Sequence, residues 1–286
     1  MRSGYSFRRL RHVVPLLVLC SGWLASSEEW RPRHALIPPT GVLNLGEPAH
    51  PAEVLLGGPD DPAGQPAWLA GLKGWRAERL TRMRYDASEY GRPELAWTQR
   101  VFSQNQMLIW DRTFYDPVQR KYTVARYLAD VESRLGPIDA VLIWHVYPNL
   151  GVDDRNSLDL LRDLPGGIPA LKDVVDQFHR RGVKVFFPTL AWDTSTRPVG
   201  KPVWTALTEL LGEIGADGIN FDTLESVPID FRRASEIAGH PLALEPQFAV
   251  RDESLAWSTL SWNDWVTWED LSYPFVPMVN KAKWLE

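Results

Sequence analysis

Apolar residues from residue 102 onward follow two alternating patterns, short continuous runs and longer stretches at helical spacing. The short runs are typical of strands that are buried on both faces. The longer stretches repeat at i, i+3, i+4 and i+7, which is the spacing of a helix with one apolar face. The predicted strands cover 106–111, 138–145, 183–187 and part of 215–225, and the predicted helices between them cover 122–135, 171–181 and 203–214.

This repetition of strand and helix predicts a parallel sheet with right-handed crossover connections, in the α/β class. Two architectures have that topology, a TIM-type (β/α) barrel and an open doubly wound sheet. The first predicted strand is not followed by a Gly-x-Gly-x-x-Gly turn, so nothing indicates a dinucleotide crevice. Long polar loops follow the ends of the strands, which favours the barrel.

The regular pattern weakens after residue 226. A fifth strand is predicted at 241–245, and further strands are predicted at 257–260 and 274–279. The remaining chain is too short for the other strand–helix units of a full barrel. We therefore expect a barrel that is incomplete or abbreviated at its C-terminus, and an open barrel leaves two sheet edges exposed.

The N-terminal part of the chain has a different character. Residues 1–26 combine an arginine-rich start, a short apolar run and small residues, which predicts a signal peptide rather than an uncleaved anchor. The mature protein is then expected to be secreted or periplasmic, with no membrane segment. Residues 27–100 form a Pro/Gly-rich segment with one predicted helix at 66–84, and 101–286 form the barrel domain.

Composition excludes several classes of protein. A formal charge of −5 gives no basic surface, so nucleic acid is not an expected partner. The single cysteine, Cys20, lies in the predicted signal peptide and excludes a disulfide framework. Six histidines without a His-x-His or His-Glu-x-x-His motif predict no metal site and no cofactor.

Tryptophan is abundant, at 14 residues. Indole rings stack on the flat C–H faces of sugars, so this excess favours a carbohydrate partner. The alternative is that a large barrel buries tryptophan in its core.

The stretch 215–225 contains the first candidate for catalysis. Ile219 and Phe221 alternate there with Asn220 and Asp222, which is the period of a strand. A short buried strand that ends on a carboxylate is typical of the catalytic end of a (β/α) barrel.

The ends of successive parallel strands meet at one mouth of a barrel. Glycosidic cleavage requires two carboxyl groups that flank the bond, and these can come from different strands. The polar and aromatic residues predicted to surround the mouth are Asp111, Arg112, Trp144, His145, Tyr147, Thr189, Trp192, Asp193, Asp222, Glu225, Glu245 and Asp264.

Several of these residues also have a structural interpretation. Asp222 could cap a turn or pair with an arginine, and Glu245 could form an ion pair at the rim. Asp111 and Arg112 could form an internal salt bridge that holds the first loop, which we favour over a substrate contact. His145 could donate a hydrogen bond to a substrate or be a satisfied core residue.

Two segments resemble the third and fourth barrel strands of retaining α-glycosidases, a group that includes the α-amylases, α-glucosidases and α-galactosidases. They are 178–187, with the sequence FHRRGVKVFF, and 215–222, with the sequence GADGINFD. The resemblance covers about 100 residues, a fraction of one domain. It implies that Asp222 is the nucleophile.

The resemblance leaves the acid/base open between two residues. The amylase-like branch implies Glu245 at the end of the fifth strand, and the galactosidase-like branch implies Asp264 at the end of the sixth. Asn220 stands where the amylase-type arginine precedes the nucleophile. This difference argues against an amylase activity proper.

The leading hypothesis is an exported glycoside hydrolase that cleaves an α-linked sugar with retention. The alternative is a non-catalytic carbohydrate-binding protein on a degenerate barrel. A metal-dependent barrel hydrolase or isomerase is disfavoured because clustered histidine ligands are missing. The sequence does not define the oligomeric state.

Overall fold

The structure is a computed structural model, which describes residues 55–57, 61–146, 155–190, 199–224, 226–247, 254–262 and 278–280, the first and last of these by their backbone alone. These residues all belong to one unit that extends over Arg33–Glu286. The predicted signal peptide lies outside the described residues and stays a prediction. None of the helices in the described ranges is long and apolar enough to cross a bilayer.

The helices and strands alternate along the chain. The strands are β1 (Leu55–Gly57), β2 (Gln104–Leu108), β3 (Tyr115–Asp116), β4 (Lys121–Tyr122), β5 (Ala140–Trp144), β6 (Lys184–Leu190), β7 (Gly218–Asp222), β8 (Ala243–Pro246) and β9 (Met278–Asn280). The helices are α1 (Gln65–Met83), α2 (Val124–Leu135), α3 (Ser157–Arg162), α4 (Gly167–His179), α5 (Val203–Ile214) and α6 (Ile229–Ile237). Short 3-10 segments cover Pro62–Gly64, Ala87–Gly91 and Pro93–Arg100.

Five strands form a parallel sheet in the order β2-β5-β6-β7-β8. The predicted α/β class, the parallel sheet and its first five strands are therefore confirmed. The first strand of this sheet, β2, ends at Leu108 and not at the predicted Asp111. A turn begins at Leu108, whose carbonyl accepts a hydrogen bond from Asp111 N–H. The predicted helix at 66–84 is present as α1. In the described part of the chain the sheet has these five strands, and a closed barrel is not shown.

The two faces of the sheet have different surroundings. Helices cover the outer face, where Val141, Phe187 and Phe221 belong to the larger hydrophobic core. The opposite face, here called the inner face, carries Leu142 and Phe186, which form a second core cluster with other sheet residues. Because the sheet buries both faces, its strands read in the sequence as continuous apolar runs.

The sheet is strongly curled. Its outermost strands, β2 and β8, are separated by three others, and strand spacing of about 4.8 Å would place them roughly 19 Å apart in a flat sheet. Yet Gln104 on β2 donates to both carboxylate oxygens of Glu245 on β8 at 3.2 Å. The inner face is therefore concave, and side chains of the two edge strands contact each other across it.

Two aspartates fix the register of the strands. The Asp139 carboxylate, just before β5, accepts hydrogen bonds from the backbone N–H groups of Phe102 and Ser103 at the entry to β2. The Asp217 carboxylate, just before β7, accepts from Val185 N–H on β6 and from the side chains of Lys184 and His179. The same arrangement thus appears at two pairs of neighbouring strands.

Both aspartates are held in the ionised form. Hydrogen bonds from the backbone lower the pKa of Asp139 below its usual value. Burial opposes ionisation of Asp217, but the hydrogen bonds from His179, Lys184 and Val185 outweigh it, and the pKa of Asp217 is also lowered.

Two predictions at the C-terminal end of the chain differ from the structure. A strand is predicted at 257–260, but Trp257 ends a turn in which Trp257 N–H and Ser258 N–H both donate to the Ser254 carbonyl, and 258–260 have no regular secondary structure. Strand β9 overlaps the last two residues of the predicted range 274–279, but it pairs antiparallel with β1 and not with the parallel sheet.

We predict that Gly218→Ala destabilises the protein by about 1–3 kcal/mol, because overpacking a core forces its neighbours out of place. A Cβ at this position would lie 2.3 Å from the ring of Phe186. The control is Gly74→Ala on α1, where nothing lies within 4 Å. It should leave stability unchanged or raise it by about 0.5–1 kcal/mol. Urea unfolding of both variants is the measurement, and equal midpoints would contradict the prediction.

We predict that Asp217→Asn lowers the free energy of unfolding at neutral pH by about 2–3 kcal/mol, since hydrogen bonds to a charged group are lost. The lowered pKa of Asp217 means that its contribution is present above the unfolded-state pKa and is lost as the pH falls through the folded-state pKa. The deficit should therefore shrink in acid. Asp173→Asn, on the exposed surface of α4, is the control and should stay within about 0.5 kcal/mol of the wild type.

Candidate functional site

Asp222 is the last residue of β7 and is 4% exposed. Side chains alternate between the faces of a strand, so Asp222 shares the inner face with Asn220, while Phe221 packs against Phe231 of α6 on the outer face. The strand presents this carboxylate at its C-terminal end, as the sequence predicted.

The backbone directly after Asp222 is strained. Thr223 has a φ of 63°, in the left-handed region that β-branched residues rarely adopt. The Gln247 side chain holds this turn, because its carbonyl oxygen accepts from Thr223 N–H at 2.8 Å. Such strain costs on the order of 1–3 kcal/mol and occurs preferentially at functional sites.

Glu245 lies on β8 and is also 4% exposed. Its carboxylate accepts hydrogen bonds from the amide groups of Gln104, at 3.2 Å, and Asn220, at 3.0 Å. Burial raises the pKa of Glu245 to about 7, and the Asn220 and Gln104 amides, which both donate in this orientation, oppose that rise only in part. At neutral pH this carboxyl group can therefore both hold and release a proton.

The two carboxyl groups belong to neighbouring strands and the same face. Glu245 is the register partner of Asn220, and Asp222 lies two residues further along β7. Strand geometry places the Cα atoms of Asp222 and Glu245 roughly 8 Å apart. Of the candidate carboxyl groups, Asp222 and Glu245 therefore lie on the same face of neighbouring strands.

A pocket of about 360 Å³ opens beside Glu245, between the two edges of the curled sheet. Its polar lining includes Gln104, Gln106 and Glu245, and Trp262 and Phe102 contribute aromatic rings. Asp222 is not among the described residues that line it. The pocket thus gives access to Glu245 from the open side of the sheet.

Two other predicted residues at the end of β5 are buried. Trp144 is 2% exposed and belongs to the inner-face cluster. His145 lies on the outer face, where it packs edge-on against Phe187, and Nε2 lies 3.1 Å from the Ser157 carbonyl oxygen. Burial lowers the pKa of His145 to about 4, so the ring is neutral and donates to that carbonyl. This is the core position that was the alternative to a substrate contact.

Asp111 and Arg112 lie in an exposed turn after β2. The Asp111 carboxylate accepts from Thr113 N–H at 2.7 Å, and the Arg112 carbonyl accepts from the Arg126 side chain. These contacts hold the first loop, which is the structural role that the sequence favoured, although the bonds differ from the internal salt bridge proposed there. Thr189 is buried within β6.

The other predicted site residues lie outside the described residues. They are Tyr147, Trp192, Asp193, Glu225 and Asp264. Their assignments stay predictions, including that of Asp264 as the alternative acid/base.

Sequence reasoning missed three residues that contact or orient the candidate carboxyls, namely Gln104, Gln247 and Trp262. The predicted first strand began at Gln106, but the structure begins it at Gln104, which therefore shares a face with Gln106. The other two follow strands in irregular segments, where no periodicity indicates a direction.

In the described ranges no group of three or more histidine, cysteine, aspartate or glutamate side chains could hold a metal ion. The site as described consists of two carboxyl groups, amides and an indole. The carboxyl groups can donate or accept protons, and a carboxylate can act as a nucleophile that forms a covalent intermediate.

Among known proteins, this chain is similar only to parts of solved structures. No protein-family model matches the chain, and no curated protein matches it. Among solved structures, an alpha-N-acetylgalactosaminidase from Bifidobacterium bifidum is 16% identical, with 64% of this chain and 41% of that chain covered and a TM-score of 0.42. A debranching enzyme from Nostoc punctiforme is 13% identical, with 53% and 48% covered and a TM-score of 0.35.

A third similar structure is a cycloalternan-degrading enzyme from Trueperella pyogenes, which is 12% identical, with 59% of this chain and 34% of that chain covered and a TM-score of 0.36. The chain spans less than half the length of each of these three structures. Because all three TM-scores are low, the similarities establish neither a family nor a reaction for this chain.

We predict that Glu245→Gln changes how stability depends on pH. The raised pKa of Glu245 means that folding favours the protonated form, so the wild type loses stability relative to the variant as the pH rises from the unfolded-state value toward 7. The loss should reach roughly 3 kcal/mol. Urea unfolding of both proteins across this pH range measures it. Parallel curves would show that Glu245 ionises normally.

Proposed function

We propose that the protein is an exported glycoside hydrolase-like protein that cleaves an α-linked sugar with retention of configuration. Asp222 is the nucleophile in this proposal, and Glu245 is the acid/base. The observation that carries the proposal is Glu245 itself, a buried carboxyl group with a pKa near neutrality that shares the inner face with a second carboxyl group at a strand end.

Glu245 has the properties that an acid/base requires. A general acid works best when its pKa lies near the operating pH, and enzymes achieve this for glutamate by burial. Here burial is the largest influence on the pKa of Glu245. In the first step the Glu245 carboxyl group gives its proton to the glycosidic oxygen, and in the second step the resulting carboxylate takes a proton from water.

Asp222 suits the role of nucleophile by its position. It ends β7 on the inner face, and the strained turn at Thr223 fixes the backbone behind it. Its carboxylate would attack the anomeric carbon to form a covalent glycosyl-enzyme, while the leaving group departs with the proton from Glu245. A retaining pair needs carboxyl groups about 5–5.5 Å apart, which side chains on adjacent strands can reach.

A carbohydrate substrate is supported by the lining of the pocket. Trp262 and Phe102 offer ring faces to a sugar, and Gln104 and Gln106 offer amide groups to its hydroxyls. We propose further that the curled sheet belongs to a TIM-type barrel. Export rests on the sequence of residues 1–26.

One observation favours a second candidate, a non-catalytic carbohydrate-binding protein. The pocket beside Glu245 does not include Asp222 among its described lining residues. A sugar seated there would contact the acid/base candidate without reaching the nucleophile candidate.

We predict that Asp222→Asn lowers kcat for aryl α-glycosides by at least about 10³-fold, because the covalent step loses its nucleophile. Glu245→Gln should lower kcat strongly for substrates with poor leaving groups. The effect should be much smaller for dinitrophenyl glycosides, because dinitrophenolate leaves without being protonated. Asp176→Asn, exposed on α4, is the control and should behave as the wild type.

The same assays separate the two candidates. Azide added to Asp222→Ala should restore turnover and yield a glycosyl azide of inverted configuration, which identifies the residue as the nucleophile. Absence of hydrolysis by the wild type, with sugar binding that survives Asp222→Asn, would overturn the hydrolase proposal in favour of the binding protein.

A further inference from the structure

Four side chains from separate parts of the chain form one hydrogen-bonded series around Glu245. Trp262 Nε1–H donates to Gln104 Oε1 at 2.7 Å, and Gln104 Nε2 donates to the Glu245 carboxylate at 3.2 Å. On the other side, Asn220 Nδ2 donates to Glu245 Oε2 at 3.0 Å. Glu245 is thus held between two amides, but the two amides are held differently.

The orientation of the Gln104 amide is fixed. An indole N–H can donate but cannot accept, so Trp262 requires a carbonyl oxygen opposite it. Turning the Gln104 amide over would place its NH₂ group against the indole N–H and lose that bond. Gln104 therefore presents a donor to Glu245, whether Glu245 is ionised or protonated.

The orientation of the Asn220 amide is not fixed in this way. Asn220 is fully buried, and its Oδ1 has no hydrogen-bond partner among the described residues. A half-turn about χ2 exchanges Nδ2 and Oδ1 and breaks no bond made by Oδ1. The amide can then offer a donor to the Glu245 carboxylate or an acceptor to the hydroxyl of the Glu245 carboxylic acid.

We propose that Gln104 and Asn220 are positioning residues with different tasks, such that Gln104, locked by Trp262, always donates to Glu245, whereas the Asn220 amide turns over when Glu245 gains or loses its proton. The inference deepens the proposed function and rests on it for its significance, because Glu245 is the acid/base there. The consequence is that Asn220 supports both protonation states of Glu245, while Gln104 favours the carboxylate alone.

In the described part of the chain, no other charged group shifts the pKa of Glu245. The groups that act on the pKa of Glu245 are burial, Asn220 from β7 and Gln104 from β2. Trp262, from the segment after β8, acts through Gln104. Asp222 lies on the same face, two positions beyond Asn220 on β7.

The test follows the protonation of Glu245 directly, in the full chain labelled with ¹³C at glutamate carboxyl carbons. The Glu245 resonance is identified by its loss in Glu245→Gln. Gln104→Leu removes a donor that favours the carboxylate and should raise the titration midpoint by about 1 pH unit or more. Trp262→Phe frees the Gln104 amide to turn and should raise the midpoint by less.

Asn220→Leu removes a partner of both states and should move the midpoint by less than half the change in Gln104→Leu. If this variant does not fold, Asn220→Ser is used, whose hydroxyl can also donate or accept. Gln106→Leu is the matched control, since Gln106 lines the same pocket but does not act on the pKa of Glu245, and its midpoint should equal that of the wild type.

The inference is overturned if Asn220→Leu raises the midpoint as much as Gln104→Leu does, because Asn220 would then be a donor only. It is also overturned if Trp262→Phe leaves the midpoint unchanged. Since the titration uses no substrate, a protein without hydrolase activity would defeat the proposed function and still report on Gln104 and Asn220.

Discussion

The structure depends on two carboxylates that accept hydrogen bonds from the backbone of a neighbouring strand. Asp139 joins the entry of β2 to β5, and Asp217 joins β6 to β7. Register matters in this sheet because a slip of one residue would turn each side chain to the opposite face. Asp222 and Asn220 would then enter the apolar core under the helices, where neither could be satisfied. The candidate site residues at one end of the strands are therefore positioned by hydrogen bonds at the opposite end.

Curling of the sheet is the second requirement, because it makes one site from its two edges. Gln104 enters from the first strand and Glu245 from the last, and the amide–carboxylate contact between them spans what would be a wide gap in a flat sheet. Gly218 allows this packing on the inner face, since the ring of Phe186 occupies the space that a side chain would need. The aromatic core of the inner face and the polar site beside it thus depend on the same curvature.

Burial gives Glu245 its chemical character. An exposed glutamate would be ionised at neutral pH, whereas withdrawal from water raises the pKa of Glu245 to about 7. Amide donors moderate this effect without adding a charge, so the group can exchange its proton near neutrality. The strained backbone at Thr223 fulfils a different requirement, since it holds the end of β7 in one conformation beside the second carboxylate.

The sequence by itself determined the class of fold and the order of the first five sheet strands, and it offered Asp222 and Glu245 as candidates with Asp264 as the alternative acid/base. These follow from local periodicity, because a strand that is buried on both faces must be apolar and its polar residue marks an end. The role of Asp217 was not predicted from the sequence, because its hydrogen-bond partners His179, Lys184 and Val185 belong to other elements of the fold. Only the tertiary structure decided that His145 faces the helices, that residues 257–260 form no strand, and that Gln104 and Trp262 reach Glu245. The reason is that each of these depends on curvature and on contacts between residues that are distant in sequence, and no periodicity along the chain records them.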